Sequence, residues 1–276
     1  MEKHLYTAKG CSRCSIVKDF LADRKIEFIE KDIKGERKED FKVFYRQNRK
    51  QVLRGTNGIE FPILHTDGSV LQGIGPILSR ILTNGKLDPF IQSREPEPGW
   101  LGGLNIFASK LPEQEAFMEI LRFVKSKGLR IELASDGRNP ALLTNLTDEK
   151  LLDRLIFVLR GPADLYHALT GEGLSETRLA QSLSCLSRSP DYKIVLLVGI
   201  VKQDDRTLAF LTPEEAADAA KLVETVTGTK THPFVIQPVK PDKEGGLKPL
   251  EQTDLFKYRT RCRRFMVKSE IALEES

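Results

Sequence analysis

The chain has 276 residues, 40% of them hydrophobic and 30% charged, the make-up of a globular protein longer than one small domain needs. Its net charge of +4 is mild, and acids alternate with bases as in Glu36-Arg37-Lys38-Glu39-Asp40, which argues against a dedicated nucleic-acid binder. No apolar run approaches the ~20 residues of a bilayer span, and charged residues rather than an apolar signal core follow Met1, so a cytoplasmic protein without membrane contact is expected.

In chain order, residues 3–8 read as a short strand. A helix follows from about Cys14 to Asp23, with Val17, Phe20 and Leu21 on one face. Residues 27–33 alternate as a second strand, and an amphipathic helix offers Phe41 and Phe44 to the core. Pro62-Ile63-Leu64-His65 forms a third strand, Asp67-Gly68 a hairpin turn, and residues 69–72 the returning strand. A closing helix is expected from Pro76, because proline suits the first helical position.

Four cysteines are too few for a disulfide framework, and two of them make Cys11-Ser12-Arg13-Cys14. That spacing serves a redox dithiol or part of a metal site. A metal would need further ligands, which Cys185 and Cys262 supply only if the rest of the chain folds over the first domain, so no metal is expected. His4, His65, His167 and His232 have no metal-ligand spacing. At the start of a helix, Cys11 would have its thiolate stabilised by unpaired N–H groups, with Lys9 and Arg13 adding positive charge. Cys14, one turn in, would be the resolving thiol.

The order strand, helix, strand, helix, hairpin, helix is that of the thioredoxin fold. Residues 5–14, Phe61-Pro62-Ile63 and Gly73-Ile74-Gly75 resemble the glutaredoxin family's first strand and active-site loop, its cis-proline loop and its glycine turn. The resemblance covers residues 1–88. It implies a thiol–disulfide oxidoreductase with Cys11 and Cys14 catalytic, and Lys9, Arg13, Phe61, Pro62, Gly73 and Gly75 binding substrate. It further implies a cis Pro62 and glutathione as a co-substrate, whereas no cofactor follows from the residues alone. The chain departs from the family at Ser12-Arg13, where a proline and an aromatic are usual, and at Pro76-Ile77, where an acidic-polar pair is usual. A basic stretch, residues 45–55, precedes the cis-proline loop and reads either as a docking surface for an acidic partner or as a solvated helix and loop.

Residues 89–100, with prolines and charges, read as a linker. Beyond it, strands are expected at 104–108, 129–134, 155–159, 194–198 and 234–236, alternating with helices. One helix ends at Gly128 and another opens on the capping box Thr212-Pro213-Glu214-Glu215 and closes at Gly228. The fold class is therefore α/β: a thioredoxin/glutaredoxin fold, then an α/β domain over 101–245 with a mostly parallel sheet, either open or a partial barrel. Residues 246–276 read as a helical tail, its helix running from about Thr253 to Glu274, with Phe256, Phe265, Met266 and Ile271 packing and a basic run at 257–264.

Residues 113–146, which include the loop Ser135-Asp136-Gly137-Arg138-Asn139, and residues 165–171 resemble a glycyl-radical-activating enzyme of the radical S-adenosylmethionine type. The chain lacks that family's Cys-x-x-x-Cys-x-x-Cys, and Gly102-Gly103-Leu104 is at most a remnant of its Gly-Gly-Glu motif, so radical chemistry is not expected. Asp136, Arg138 and Asn139 read as a turn or as contacts for a nucleotide-like ligand. Two functions follow. One is an oxidoreductase whose second domain selects a disulfide-bearing protein or small thiol, by analogy a glycyl-radical or ribonucleotide-reductase system. The other is a non-enzymatic adaptor with a vestigial or metal-binding dithiol.

Overall fold

The computed structural model describes residues 2–35, 38–55, 58–66, 68–202, 207–242 and 246–272. The chain forms two compact units that are not consecutive in sequence: Met1–Leu104 with Pro112–Ile131, and Asn105–Leu111 with Glu132–Ser276. This division differs from the sequence boundaries at 88 and 101, because the helix after the second boundary belongs with the first unit.

In the first unit, β1 (His4–Thr7), α1 (Ser12–Asp23), β2 (Ile29–Asp32) and α2 (Lys38–Asn48) are followed by a short antiparallel pair, β3 (Arg54–Gly55) and β4 (Gly58–Ile59). Then come β5 (Ile63–Thr66), β6 (Ser69–Gln72) and α3 (Ile74–Thr83). The sheet order is β2-β1-β5-β6, with β1 parallel to β2 and antiparallel to β5, and β5 antiparallel to β6. Asp67 of the expected turn lies outside the described residues, and Gly68 beside it has φ +74°, a conformation glycine adopts without strain. Val17, Phe20 and Leu21 of α1 are fully buried with Leu5, Ile63 and Leu64, each worth roughly 1.5–3 kcal/mol of transfer from water. The last helix starts at Ile74, two residues before Pro76. Proline is tolerated there because first-turn N–H groups have no intrahelical acceptor.

The expected linker is instead structured. β7 (Ile91–Arg94) pairs antiparallel with β8 (Trp100–Ile106), and Ile91 and Trp100 are buried. Two glycines make the pairing fit: a Cβ on Gly102 would stand 2.8 Å from Pro96, and one on Gly103, at φ +73°, would stand 2.5 Å from the Gln92 carbonyl oxygen. The Gly102-Gly103 pair thus has a packing role. α4 (Gln114–Ser126) completes the unit, with Phe117, Ile120, Leu121 and Val124 buried.

A second sheet of seven strands is largely parallel, in the order β15-β14-β11-β10-β9-β8-β7. β9 (Arg130–Ser135), β10 (Arg154–Leu159), β11 (Asp191–Val198), β14 (Phe234–Pro238) and β15 (Ser269–Ile271) run parallel, each beside the next. Between them lie α5 (Pro140–Asp148), α6 (Tyr166–Thr170), α7 (Glu176–Leu183), a hairpin of β12 (Ile200–Lys202) and β13 (Leu208–Phe210), α8 (Pro213–Thr227) and α9 (Gln252–Cys262). The capping box forms in both directions at Thr212 and Glu215, and Gly228 takes the left-handed conformation that ends α8.

The C-terminal segment corrects the helical-tail expectation. The helix stops at Cys262, and residues 269–271 add a strand beside β14. Phe256 is 40% exposed, while Leu255, Tyr258, Cys262 and Met266 are buried, and the Tyr258 hydroxyl donates to the Leu211 carbonyl at 2.5 Å. The basic run is partly consumed by pairing: Lys257 with Asp254, Arg261 with Glu214, and Arg259 over the Phe256 ring. Among the described residues, no helix is long and apolar enough to cross a membrane.

Candidate functional site

β1 delivers the loop Ala8-Lys9-Gly10 to the start of α1, where Cys11 occupies the N-cap in extended conformation. Its Sγ takes the place of a capping oxygen and accepts the Cys14 N–H at 3.1 Å. The cysteines form a disulfide with Cα atoms 5.3 Å apart; Cys14 is buried and Cys11 partly exposed. The Phe61–Pro62 peptide is cis, and the Phe61 carbonyl oxygen lies 4.0 Å from Cys11 Sγ. A cavity of about 450 Å³ opens beside the pair, lined among others by Lys9, Cys11, Lys18, Glu30 and Asp32. Lys9, Cys11 and Cys14 thus line one cavity, the Phe61 carbonyl lies by Cys11 Sγ, and Pro62 is buried.

Arg13, Gly73 and Gly75 are placed differently. Arg13 is salt-bridged to Glu95 and only 14% exposed, and its Nε is buried without a hydrogen-bond partner. Gly73, at φ +84°, would place a Cβ 2.6 Å from Ser93 Oγ, and Gly75 one 2.8 Å from Ile91. Both glycines are buried, and their missing side chains let β7 approach. Ser93 and Glu95 escaped sequence reasoning because they sit in the stretch whose prolines and charges mask a strand. Gln72 also escaped it. Its amide accepts from the Leu53 N–H at 2.7 Å and donates to the carbonyls of Leu53 at 2.9 Å and Glu60 at 2.8 Å, fixing the segment before the cis proline.

Two groups near this site shift for identifiable reasons. Burial and then the Asp40 charge raise the Tyr6 phenol above its ordinary value. Burial, then His4 and Lys31, hold the His65 imidazole below its ordinary value.

In the second unit, Asp136 is fully buried at the end of β9. Arg138 donates to it through Nε at 2.9 Å and is ion-paired with it through Nη2 at 2.8 Å; Nη2 donates to the Phe107 carbonyl, and Nη1 faces Glu172 at 3.3 Å. The Ser109 N–H and then burial and Arg138 act on Glu172, whose carboxyl sits below its ordinary value. The Asn139 side chain caps α5 by accepting the Leu142 N–H at 3.1 Å. Gly137, at φ +84°, leaves no room for a Cβ, with Leu179 and Phe157 3.0 Å from where it would be. The donors of this loop are spent internally, which is the behaviour of a structural turn.

Among the described residues, no group of three or more His, Cys, Asp or Glu is arranged to hold a metal. Outside the dithiol only Cys185 and Cys262 remain, both buried, and burial pushes the Cys262 thiol up to about 12. With two cysteines, the second unit does not fit the iron–sulfur cluster of radical enzymes. No protein-family model and no curated protein matches this sequence.

Proposed function

We propose that the chain is a thiol–disulfide oxidoreductase whose first unit is a glutaredoxin-like thioredoxin fold. The observation that carries this reading is the Cys11 position: a partly exposed sulfur at a helix N-cap, receiving the Cys14 N–H, with the buried Cys14 one turn behind. A thiolate there is stabilised by the helix terminus, and its neighbour is close enough to close a disulfide.

In the reduced state, the Cys11 thiolate attacks one sulfur of a client disulfide. That S–S bond breaks, and the departing client sulfur takes up a proton. Cys14, losing its proton to solvent, attacks Cys11 Sγ, forms the Cys11–Cys14 disulfide and releases the second client thiol. Two electrons pass to the client, and an external thiol must return them. The Phe61 carbonyl beside Cys11 is placed to receive client backbone at the reacting sulfur. No glutathione pocket is assigned, since Gly73 and Gly75 are buried against β7.

The test is reduction of a small-molecule disulfide by the full chain. Cys11→Ser is expected to abolish it, and Cys14→Ser to accumulate a mixed disulfide visible by mass. Full activity in Cys11→Ser would end the proposal.

A further inference from the structure

Residues 41–59 contain five cations, Lys42, Arg46, Arg49, Lys50 and Arg54, and no acid, so this short stretch carries more positive charge than the whole chain's net +4. α2 turns Phe44 into a core with Tyr6, Val52 and Ile63, and Phe41 and Tyr45 pack against it. Its other face is exposed at Lys42, Val43, Arg46 and Gln47. Lys42 is neutralised by Glu39 at 2.7 Å, and Arg54 lies over the Tyr45 ring. Among the described residues, Arg46, Arg49 and Lys50 have no carboxylate within salt-bridge distance. Val43 and Leu53, each 53% exposed, are among the few large apolar side chains left open.

The core-facing side of this helix connects it to the dithiol loop. Tyr45 stacks on Phe41 with ring centres 6.1 Å apart, Phe41 meets Phe61 at 5.6 Å, and the Phe61 carbonyl is 4.0 Å from Cys11 Sγ. The Gln72 amide holds the backbone at Leu53, so the surface is presented on a fixed frame.

We propose that the face built by α2 and the segment through Arg54 docks an acidic polypeptide and delivers its disulfide to Cys11. The inference rests on the oxidoreductase reading and adds the class of client. Unpaired cations draw acidic residues of a partner and speed encounter, while Val43 and Leu53 give apolar contact between them. A single nucleic-acid strand is disfavoured because Phe41 and Tyr45 pack inward and leave no stacking platform for bases.

The experiment compares three substrates of the full-length chain: a disulfide-bridged peptide with flanking Asp and Glu, the same peptide with Asn and Gln, and a small neutral disulfide. The wild-type protein is expected to reduce the acidic peptide with kcat/KM roughly tenfold above its neutral analogue, an advantage that shrinks with added salt. Arg46→Glu/Arg49→Glu/Lys50→Glu should abolish the preference through KM and leave the small disulfide within about twofold. Equal use of both peptides, a preference surviving in the triple variant, or stronger inhibition by an oligonucleotide than by a redox-inert acidic peptide overturns the docking proposal alone. Failure to reduce even the small disulfide overturns the redox reading, and the docking proposal with it.

Discussion

Two arginines, one in each unit, are paired to different extents. Arg138 spends its guanidinium on the Asp136 carboxylate, the Phe107 carbonyl and Glu172, around a carboxylate with no exposure at all. Arg13, between Cys11 and Cys14 in the sequence, meets one carboxylate, Glu95, and leaves its Nε without a partner. A buried charge is tolerated at low cost only when its hydrogen bonds are complete. The Arg138 contacts hold a turn, with Arg160 Nε 3.8 Å from the same Asp136 and itself without a hydrogen bond, whereas Arg13 holds Glu95 alone.

The largest expected effect is at Arg138. Arg138→Met removes the nearer of the two arginines that face the fully buried Asp136, leaving Arg160 at 3.8 Å, and should destabilise the second unit by about 3 kcal/mol, read by denaturant unfolding, without changing the dithiol's reactivity. A loss below about 1 kcal/mol would mean that Asp136 finds other partners, and the contrast between the two arginines would collapse.

At Arg13 the balance reverses. Glu95→Gln keeps the shape and leaves the Arg13 charge, two residues from Cys11 in the chain, without its carboxylate. Reaction of Cys11 with a small disulfide at neutral pH should rise roughly threefold, while stability shifts by no more than about 1 kcal/mol. A large stability loss with an unchanged rate would make this pair scaffold too.

The smallest effect tests a buried group that is fully hydrogen-bonded yet titratable. His232 contacts the Tyr192 hydroxyl and Thr227 Oγ1, each at 2.7 Å, and burial lowers its proton affinity below the ordinary value of 6.5. The unfolded chain therefore takes up this proton at a higher pH than the folded one. Stability should be fully present above pH 6.5 and decline as acid carries the protein down toward the folded-state value. His232→Gln should flatten that part of the thermal-stability profile, and a slope identical to wild type would remove His232 as its source.

Much of the fold was legible because local signals agreed with it. The apolar spacing in α1, the Thr212–Glu215 box and the glycine after α8 each act within a few residues. β7 was not legible: its prolines and charges imitate a linker, and the glycines that accommodate it lie across the hairpin at 102–103. The last helix was overextended because a basic run with scattered apolar residues continues past Cys262, where the chain turns into β15. At the site, the Cys11–Cys14 spacing was written in four adjacent residues. The Arg13–Glu95 pair joins positions 82 residues apart, which no local pattern encodes.

The strand orders also set a schedule for synthesis. In β9-β10-β11-β14-β15, every parallel neighbour is the nearest preceding member of the series, so each new strand leaving the ribosome finds a finished edge to join. In β2-β1-β5-β6, the early strand β1 lies between β2 and β5 and must wait for the latter before its second edge is closed. One sheet therefore grows by accretion and the other shuts in a single later event, with β1 as the edge that a nascent-chain chaperone would have most reason to cover.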